Sequence, residues 1–223
     1  MFKSIWKAAI AAVYPVRCPY CQDVISHDKT CCDNCNRSIT RHLERVKVFD
    51  EDENNFKSYC FTPLRYDGAV KQAIWRFKFR GCKCYCEHFS DEIIKGLKDT
   101  YYNLDFDVVT FVPMSKIKKS ERGYNQSEAL AKKIGEKLNV DCKSLLIKAR
   151  NNKPQHDLDA LERVSNVKGA YSVDDTLDVK GKKILLCDDV FTTGNTLKEC
   201  CRVLYEAGAT CVECVAIAHT ELN

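Results

Sequence analysis

Ile184-Leu185-Leu186-Cys187-Asp188-Asp189-Val190-Phe191-Thr192-Thr193-Gly194-Asn195-Thr196 is the stretch on which the fold turns. It opens as the clearest parallel strand of the chain, Lys183–Cys187 (KILLC), a short apolar run of the kind that both faces of a covered sheet require. The strand delivers two adjacent acids, Asp188 and Asp189, at its C-terminal end. A loop of hydroxyls and glycine follows, then a helix over Thr196–Ala207 that Gly208 stops. Open α/β sheets bind their ligands at this end of the strands. Free backbone N–H groups and the helix dipole there favour an anion, and phosphate fits. Thr192, Thr193 and Thr196 add hydroxyl donors, Gly194 lets the backbone come close, and Asn195 completes the loop. Asp188 and Asp189 would repel a phosphate, so they suit vicinal hydroxyls, a magnesium ion, or both. The ligand implied is a phosphorylated sugar with a free diol. The plain alternative is a strand, a polar turn and a capped helix. Neither Gly-x-x-x-x-Gly-Lys-Ser/Thr nor Gly-x-Gly-x-x-Gly occurs, which excludes a P-loop and a dinucleotide fingerprint.

Outward from this segment, helix and strand alternate from Phe61 onward. Val70, Ala73, Ile74 and Phe77 share helical spacing, as do Cys86, Phe89, Ile93 and Leu97. Asp107–Pro113 (DVVTFVP) is a buried-strand candidate. Asn125 with Glu128 resembles a capping box, and Leu130, Ile134 and Leu138 continue that helix. Leu145–Ile147 and Ala170–Val173 are weaker strands, and Thr210–Ala218 is the last. The alternation predicts a mostly parallel, wound α/β sheet.

Two loops upstream attract the eye. Val112-Pro113-Met114-Ser115 ends a strand, and Lys116, Lys118, Lys119 and Arg122 follow with only Glu121 opposing. With Ser115, this basic loop is what a pyrophosphate needs beside a sugar-phosphate site; on its own it reads as a solvated charge run. Residues 148–171 (KARNNKPQHDLDALERVSNVKGAY) are polar and lie between two strands. They read either as an active-site lid, with Arg150, Gln155, Arg163 and Asn166 as its ligand contacts, or as a surface excursion. No residue stands out as a general base; His156 is the nearest candidate.

The chain has 223 residues, 45% apolar and 30% charged, with 35 Lys+Arg against 31 Asp+Glu and a formal net charge of +4. That excludes a disordered or collagen-like chain, and the charge bias is too small to announce a nucleic-acid binder. No apolar run reaches the roughly 18 residues of a membrane span, and Met1–Ala12 lacks a cleavage site. A cytoplasmic chain with reduced thiols is expected. Its 15 cysteines are then metal ligands, core filler or redox groups. Cys18-x-x-Cys21 and Cys32-x-x-Cys35 are paired knuckles that can place four thiolates around one structural zinc. Cys31 is expected to pack, though it could exchange roles with Cys32. Cys211 and Cys214 lie three apart on a strand and point to opposite faces. Cys200 and Cys201 join Leu197 and Leu204 in a core stripe. Cys82, Cys84, Cys86 and His88 alternate, but the spacing argues against a second site. The expected domains are a helix and zinc module over 1–45, an irregular linker over 46–60, where Asp50-Glu51-Asp52-Glu53 stand together, and an α/β domain over 61–223.

The segment from Ile184 to Thr196 resembles the phosphoribosyl-pyrophosphate (PRPP) motif of type I phosphoribosyltransferases. The order of motifs is closer still. CxxC…CxxC is followed by Tyr66-Asp67-Gly68, Lys78-Phe79-Arg80-Gly81, Val112-Pro113 and Arg122-Gly123-Tyr124-Asn125-Gln126. Then come Gln155-x-x-Leu158, Arg163-x-x-Asn166-Val167-x-Gly169-Ala170-Tyr171 and the acidic-pair motif. This order is similar to that of the ComF family over roughly Pro15 to Thr220. The resemblance implies a zinc module on a type I phosphoribosyltransferase fold. It gives Asp188 and Asp189 the ribose hydroxyls, and Thr192, Thr193, Gly194, Asn195 and Thr196 the 5′-phosphate. It further implies PRPP with Mg²⁺ as ligand, and a late step of DNA uptake in natural competence with single-stranded DNA and an uptake helicase as partners. Asn152 stands where the family usually has Thr. Two functions follow: phosphoribosyl transfer to an unidentified acceptor, or a non-catalytic accessory protein that binds single-stranded DNA. Trp75-Arg76-Phe77-Lys78-Phe79-Arg80 interleaves aromatics and cations as single-strand binders do, or else packs as helix core.

Overall fold

The computed structural model describes residues 15–51, 56–100, 104–148, 167–174 and 177–220. Most of the helix expected over 1–17 lies outside the described residues, as does 149–166 with Arg150, Gln155, Arg163 and Asn166. The elements in chain order are α1 (Asp33–Ser38), β1 (Arg41–Glu51), β2 (Phe56–Arg65), α2 (Gly68–Phe79), α3 (Tyr85–Thr100), β3 (Val108–Phe111), α4 (Lys116–Arg122), α5 (Gln126–Leu138), β4 (Leu146–Lys148), β5 (Tyr171–Val173), β6 (Lys183–Cys187), β7 (Val190–Phe191), α6 (Asn195–Glu206), β8 (Cys211–Val215) and β9 (Ala218–His219).

The main sheet has seven strands in the order β3-β6-β8-β2-β9-β7, with β1 added to β2. Every pairing in it is parallel except β1 with β2. β6 shows why: Ile184 and Leu186 face one apolar cluster, with α6, and Leu185 and Cys187 face the other, with α2, α3 and α5. A strand covered on both sides must be apolar at every position, and only crossover helices cover both sides. Val70, Ala73, Ile74 and Phe77 are the buried face of α2, and Phe89, Ile93 and Leu97 are buried on α3. At Gly96 an added Cβ would stand 2.5 Å from the Phe61 ring, so α3 sits directly on β2.

Three expectations change. The described residues of the expected irregular linker over 46–60 are strand instead: β1 runs to Glu51 and β2 begins at Phe56. What holds it lies far along the chain, for Phe49 and Phe56 stack on Tyr205 of α6 with ring centroids 5.7 and 4.4 Å away. The single strand expected over Thr210–Ala218 is two, β8 and β9, laid end to end along β2. At the break, the Ala216 N–H turns to the Phe61 carbonyl and the Ile217 N–H to that of Asp189, at 3.1 Å each. β4 and β5 form their own antiparallel ribbon outside the main sheet.

The N-terminal cysteine module is packed onto the domain. Cys18, Tyr20, Ile25 and Cys31 belong to the same apolar cluster as α2 and α3. Arg41 grips the buried Glu92 of α3 through two 2.7 Å hydrogen bonds, and His88 lies between the Tyr20 hydroxyl at 2.9 Å and the Thr30 hydroxyl at 3.2 Å.

Candidate functional site

The two acids leave β6 at its C-terminal end and turn into different surroundings. Asp188 accepts from the Ser127 hydroxyl (3.0 Å) and from the Asp189 N–H (2.8 Å). Asp189, 9% exposed, pairs with the Lys78 ammonium of α2 at 2.8 Å. Burial and the neighbouring Asp189 carboxylate push the Asp188 carboxyl up to about 7, against the pull of the Asp189 N–H, Lys78 and Ser127. The folded state therefore holds a proton that the unfolded chain has already lost between about pH 4 and 7. Stability contributed by this group is full below that window and falls as pH rises through it. In urea unfolding at pH 5 and pH 7, Asp188→Asn is expected to lose less stability between the two than the wild type; equal losses would contradict the buried-acid assignment.

One cleft gathers much of what the sequence picks out. Ser115, Lys118 and Arg122 from the α4 turn line it together with Asp188, Asp189 and Thr196. Lys116 and Lys119 do not: both are exposed, and Lys119 pairs with Glu128 at 3.3 Å. Ser115 caps α4 by accepting the Lys118 N–H at 3.3 Å. Arg122 is held by the Gln126 amide at 3.2 Å and lies 4.8 Å from the Phe79 ring centroid. Asn125 is the N-cap of α5, as expected, but Glu128 does not reach back to it to complete the capping box. The Asn125 side chain bridges the Val112 carbonyl (3.0 Å) and the Ser127 N–H (3.1 Å), while Glu128 takes Lys119 and Lys132, ammoniums offering stronger charge-assisted bonds.

Thr192, Thr193, Gly194 and Asn195 line a small adjoining hollow with Asp188 and Thr196. Gly194 is the N-cap of α6 at φ +74°, and a Cβ there would meet the Phe191 ring at 3.0 Å. It brings no side-chain acceptor to the helix N-terminus, so the first-turn N–H groups keep their capacity for an external anion.

Sequence reasoning missed Lys78 and Ser127, which touch the acids, and Lys148 and Tyr171, which line the cleft. Lys78 stands in the Lys-Phe-Arg-Gly motif, but only the tertiary structure shows that it reaches Asp189.

The sulfurs of Cys18, Cys21, Cys32 and Cys35 lie within 4.8 Å of one another. A tetrahedron of about 2.3 Å metal–sulfur bonds has edges of about 3.8 Å, and Cys21 and Cys32 are 3.7 Å apart. Cys32 belongs to the group and its Sγ accepts the Cys35 N–H (3.4 Å). Cys31 packs behind, buried, 3.7 Å from Cys18. Burial would raise the Cys18 thiol, but N–H groups of Cys32, Cys21 and Tyr20 bring it down to about 6, while Cys35 is pushed upward by burial and its neighbouring thiols. Without a cation the cluster resists collecting four thiolates, and a dication relieves that. Among the described residues this is the one such group; Cys82, Cys84, Cys86 and His88 form none.

The chain belongs to the phosphoribosyl transferase domain family, whose model matches residues 90–221. Over 91% of its length it is 26% identical to the DNA utilization protein YhgH of Escherichia coli K12, covering 90% of that protein. It is 32% identical to competence protein ComFC of Bacillus subtilis over 64% of this chain and 56% of the relative, and 29% identical to competence protein F of Haemophilus influenzae over 44% and 43%. Within the larger family it is thus a ComF-type member. Of solved structures, it is similar to the glutamine PRPP amidotransferase of B. subtilis, with a TM-score of 0.38 and 22% identity over 67% of this chain and 28% of that one. No helix among the described residues is long and apolar enough to cross a membrane.

Proposed function

We propose that the cleft binds PRPP with Mg²⁺, and that the protein serves the handling of DNA taken up in competence, as the names of its relatives suggest. One observation carries the first half: a basic turn (Ser115, Lys118, Arg122) faces the acidic pair and the α6 N-terminus across a single cleft. Asp188 and Asp189 would hold the ribose hydroxyls, the 192–196 loop the 5′-phosphate, and Ser115, Lys118 and Arg122 the pyrophosphate. Mg²⁺, where bound, would neutralise charge on the pyrophosphate. Transfer would break the bond from C1 to the pyrophosphate oxygen and form one from C1 to an acceptor nucleophile. The basic turn would stabilise the leaving group, and positioning would supply much of the rest. The four-cysteine module suits zinc best, as a closed thiolate site with no open position for chemistry. Calorimetric titration with PRPP, with and without Mg²⁺, and a pyrophosphate-release assay against pooled nucleobases and amines test this. Binding with release is expected; no binding would overturn it.

A second reading has its own observation. Phe77 is core, but Trp75 and Phe79 on the same helix are 42% and 53% exposed. The Arg80 guanidinium lies 5.2 Å from the Trp75 ring and Arg122 lies 4.8 Å from Phe79. Stacking platforms flanked by cations suit single-stranded DNA. Fluorescence titration with oligo-dT should then show affinity falling with salt, with a log–log slope of about −0.7 per phosphate contacted. A flat salt dependence, or full binding by Trp75→Ala with Phe79→Ala, would remove this reading.

A further inference from the structure

Lys148 opens the polar 148–171 stretch, whose ligand contacts the sequence assigns to other residues, yet it stands in the cleft. It ends β4, and Ser115, Lys118, Arg122, Asp188 and Thr196 line the same cleft. Its position is fixed from β5. The Nζ lies 3.4 Å from the Tyr171 hydroxyl and 5.2 Å from the centre of that ring. Tyr171 is buried. An aromatic face and a phenol oxygen hold an ammonium weakly, by about 0.5–2 kcal/mol, and neither neutralises it. Among the described residues no carboxylate pairs with Lys148, whereas Lys78 pairs with Asp189. Burial and the neighbouring Lys118 lower its proton affinity, as expected of cations crowded together until an anion arrives.

We propose that Lys148 is a positioning residue for the pyrophosphate group of the ligand, completing the cation set of Lys118 and Arg122 that lines the same cleft. This rests on the PRPP reading of the cleft. The balance of charge is the reason such a residue is needed. A pyrophosphate bears several negative charges, more than Lys118 and Arg122 together balance.

The test compares two probes, inorganic pyrophosphate and ribose 5-phosphate, against PRPP. Lys148→Met should weaken pyrophosphate and PRPP by about tenfold to a hundredfold, the loss of one charge-assisted contact, and leave ribose 5-phosphate within about twofold. Lys148→Arg should restore most of the loss, because it keeps the charge. A merely structural role for Lys148 would weaken all three ligands together and would not be rescued selectively, and that result overturns the proposal. Unchanged pyrophosphate and PRPP affinity in Lys148→Met overturns it too. If the wild-type protein binds none of the three, the reading of the cleft falls and the role of Lys148 with it; if the wild type binds PRPP and the variant does as well, Lys148 alone is excluded.

Discussion

Replacing Cys18 and Cys21 together by serine is expected to release about one metal ion per chain and to collapse the thermal stability of the protein. Structural zinc is worth on the order of 10 kcal/mol in small zinc-dependent folds, which matches the whole stability of an ordinary domain, about 5–15 kcal/mol. The effect should spread beyond the module. Tyr20, Arg41 and Pro19 tie the cysteine loops to His88, Glu92 and Arg76 on α2 and α3, and Cys18 and Cys31 sit in the main apolar cluster. Metal content by mass spectrometry under native conditions, with a melting curve, checks both parts. Cys84→Ser, at an exposed cysteine outside the group, should keep the metal. Cys31→Ser should keep it as well and Cys32→Ser should not. Retention of metal by the Cys18/Cys21 variant would move the site elsewhere.

Asp188→Asn with Asp189→Asn is expected to abolish PRPP binding. Each acid would contribute charge-assisted bonds of about 1.5–3 kcal/mol, so losing both weakens affinity by more than about a hundredfold. The two single variants should differ in their cost to the fold. Asp189→Asn leaves the Lys78 ammonium without its 2.8 Å partner in a largely covered place, and stranding a buried charge costs about 3–5 kcal/mol. Asp188→Asn removes an acid that burial already disfavours in its charged form, so it should unfold no more easily at neutral pH. Titration calorimetry gives the first effect and urea unfolding the second. Undiminished PRPP binding by the double variant would sink the diol assignment.

How much of this was legible can be judged residue by residue. The strand of β6, the acids after it and the helix after the glycine follow from local chemistry: an apolar run must be covered, and Gly194 must turn the chain at φ +74°. Paired CxxC knuckles likewise announce a cluster, because two residues between thiols set both on one turn. The hairpin of β1 and β2 was hidden, for its acidic run spoke louder than its alternation, and its partner Tyr205 is more than a hundred residues away in the chain. The helix α2 was legible in part. Helical spacing set Phe77 with Val70, Ala73 and Ile74 on the face that is buried, but nothing local tells Lys78 that it will meet Asp189.

By itself, then, the sequence determined the wound α/β class, the cysteine group and the acid-and-hydroxyl loop, because each rests on neighbours a few residues apart whose geometry the backbone dictates. The tertiary structure alone decided that Lys118 and Arg122 face the acids while Lys116 and Lys119 turn away, that Lys78 and Ser127 hold Asp189 and Asp188, and that Lys148 enters the cleft. Those placements depend on how helices cross the sheet, which is settled by burying apolar faces from distant parts of the chain, and no local pattern records the outcome.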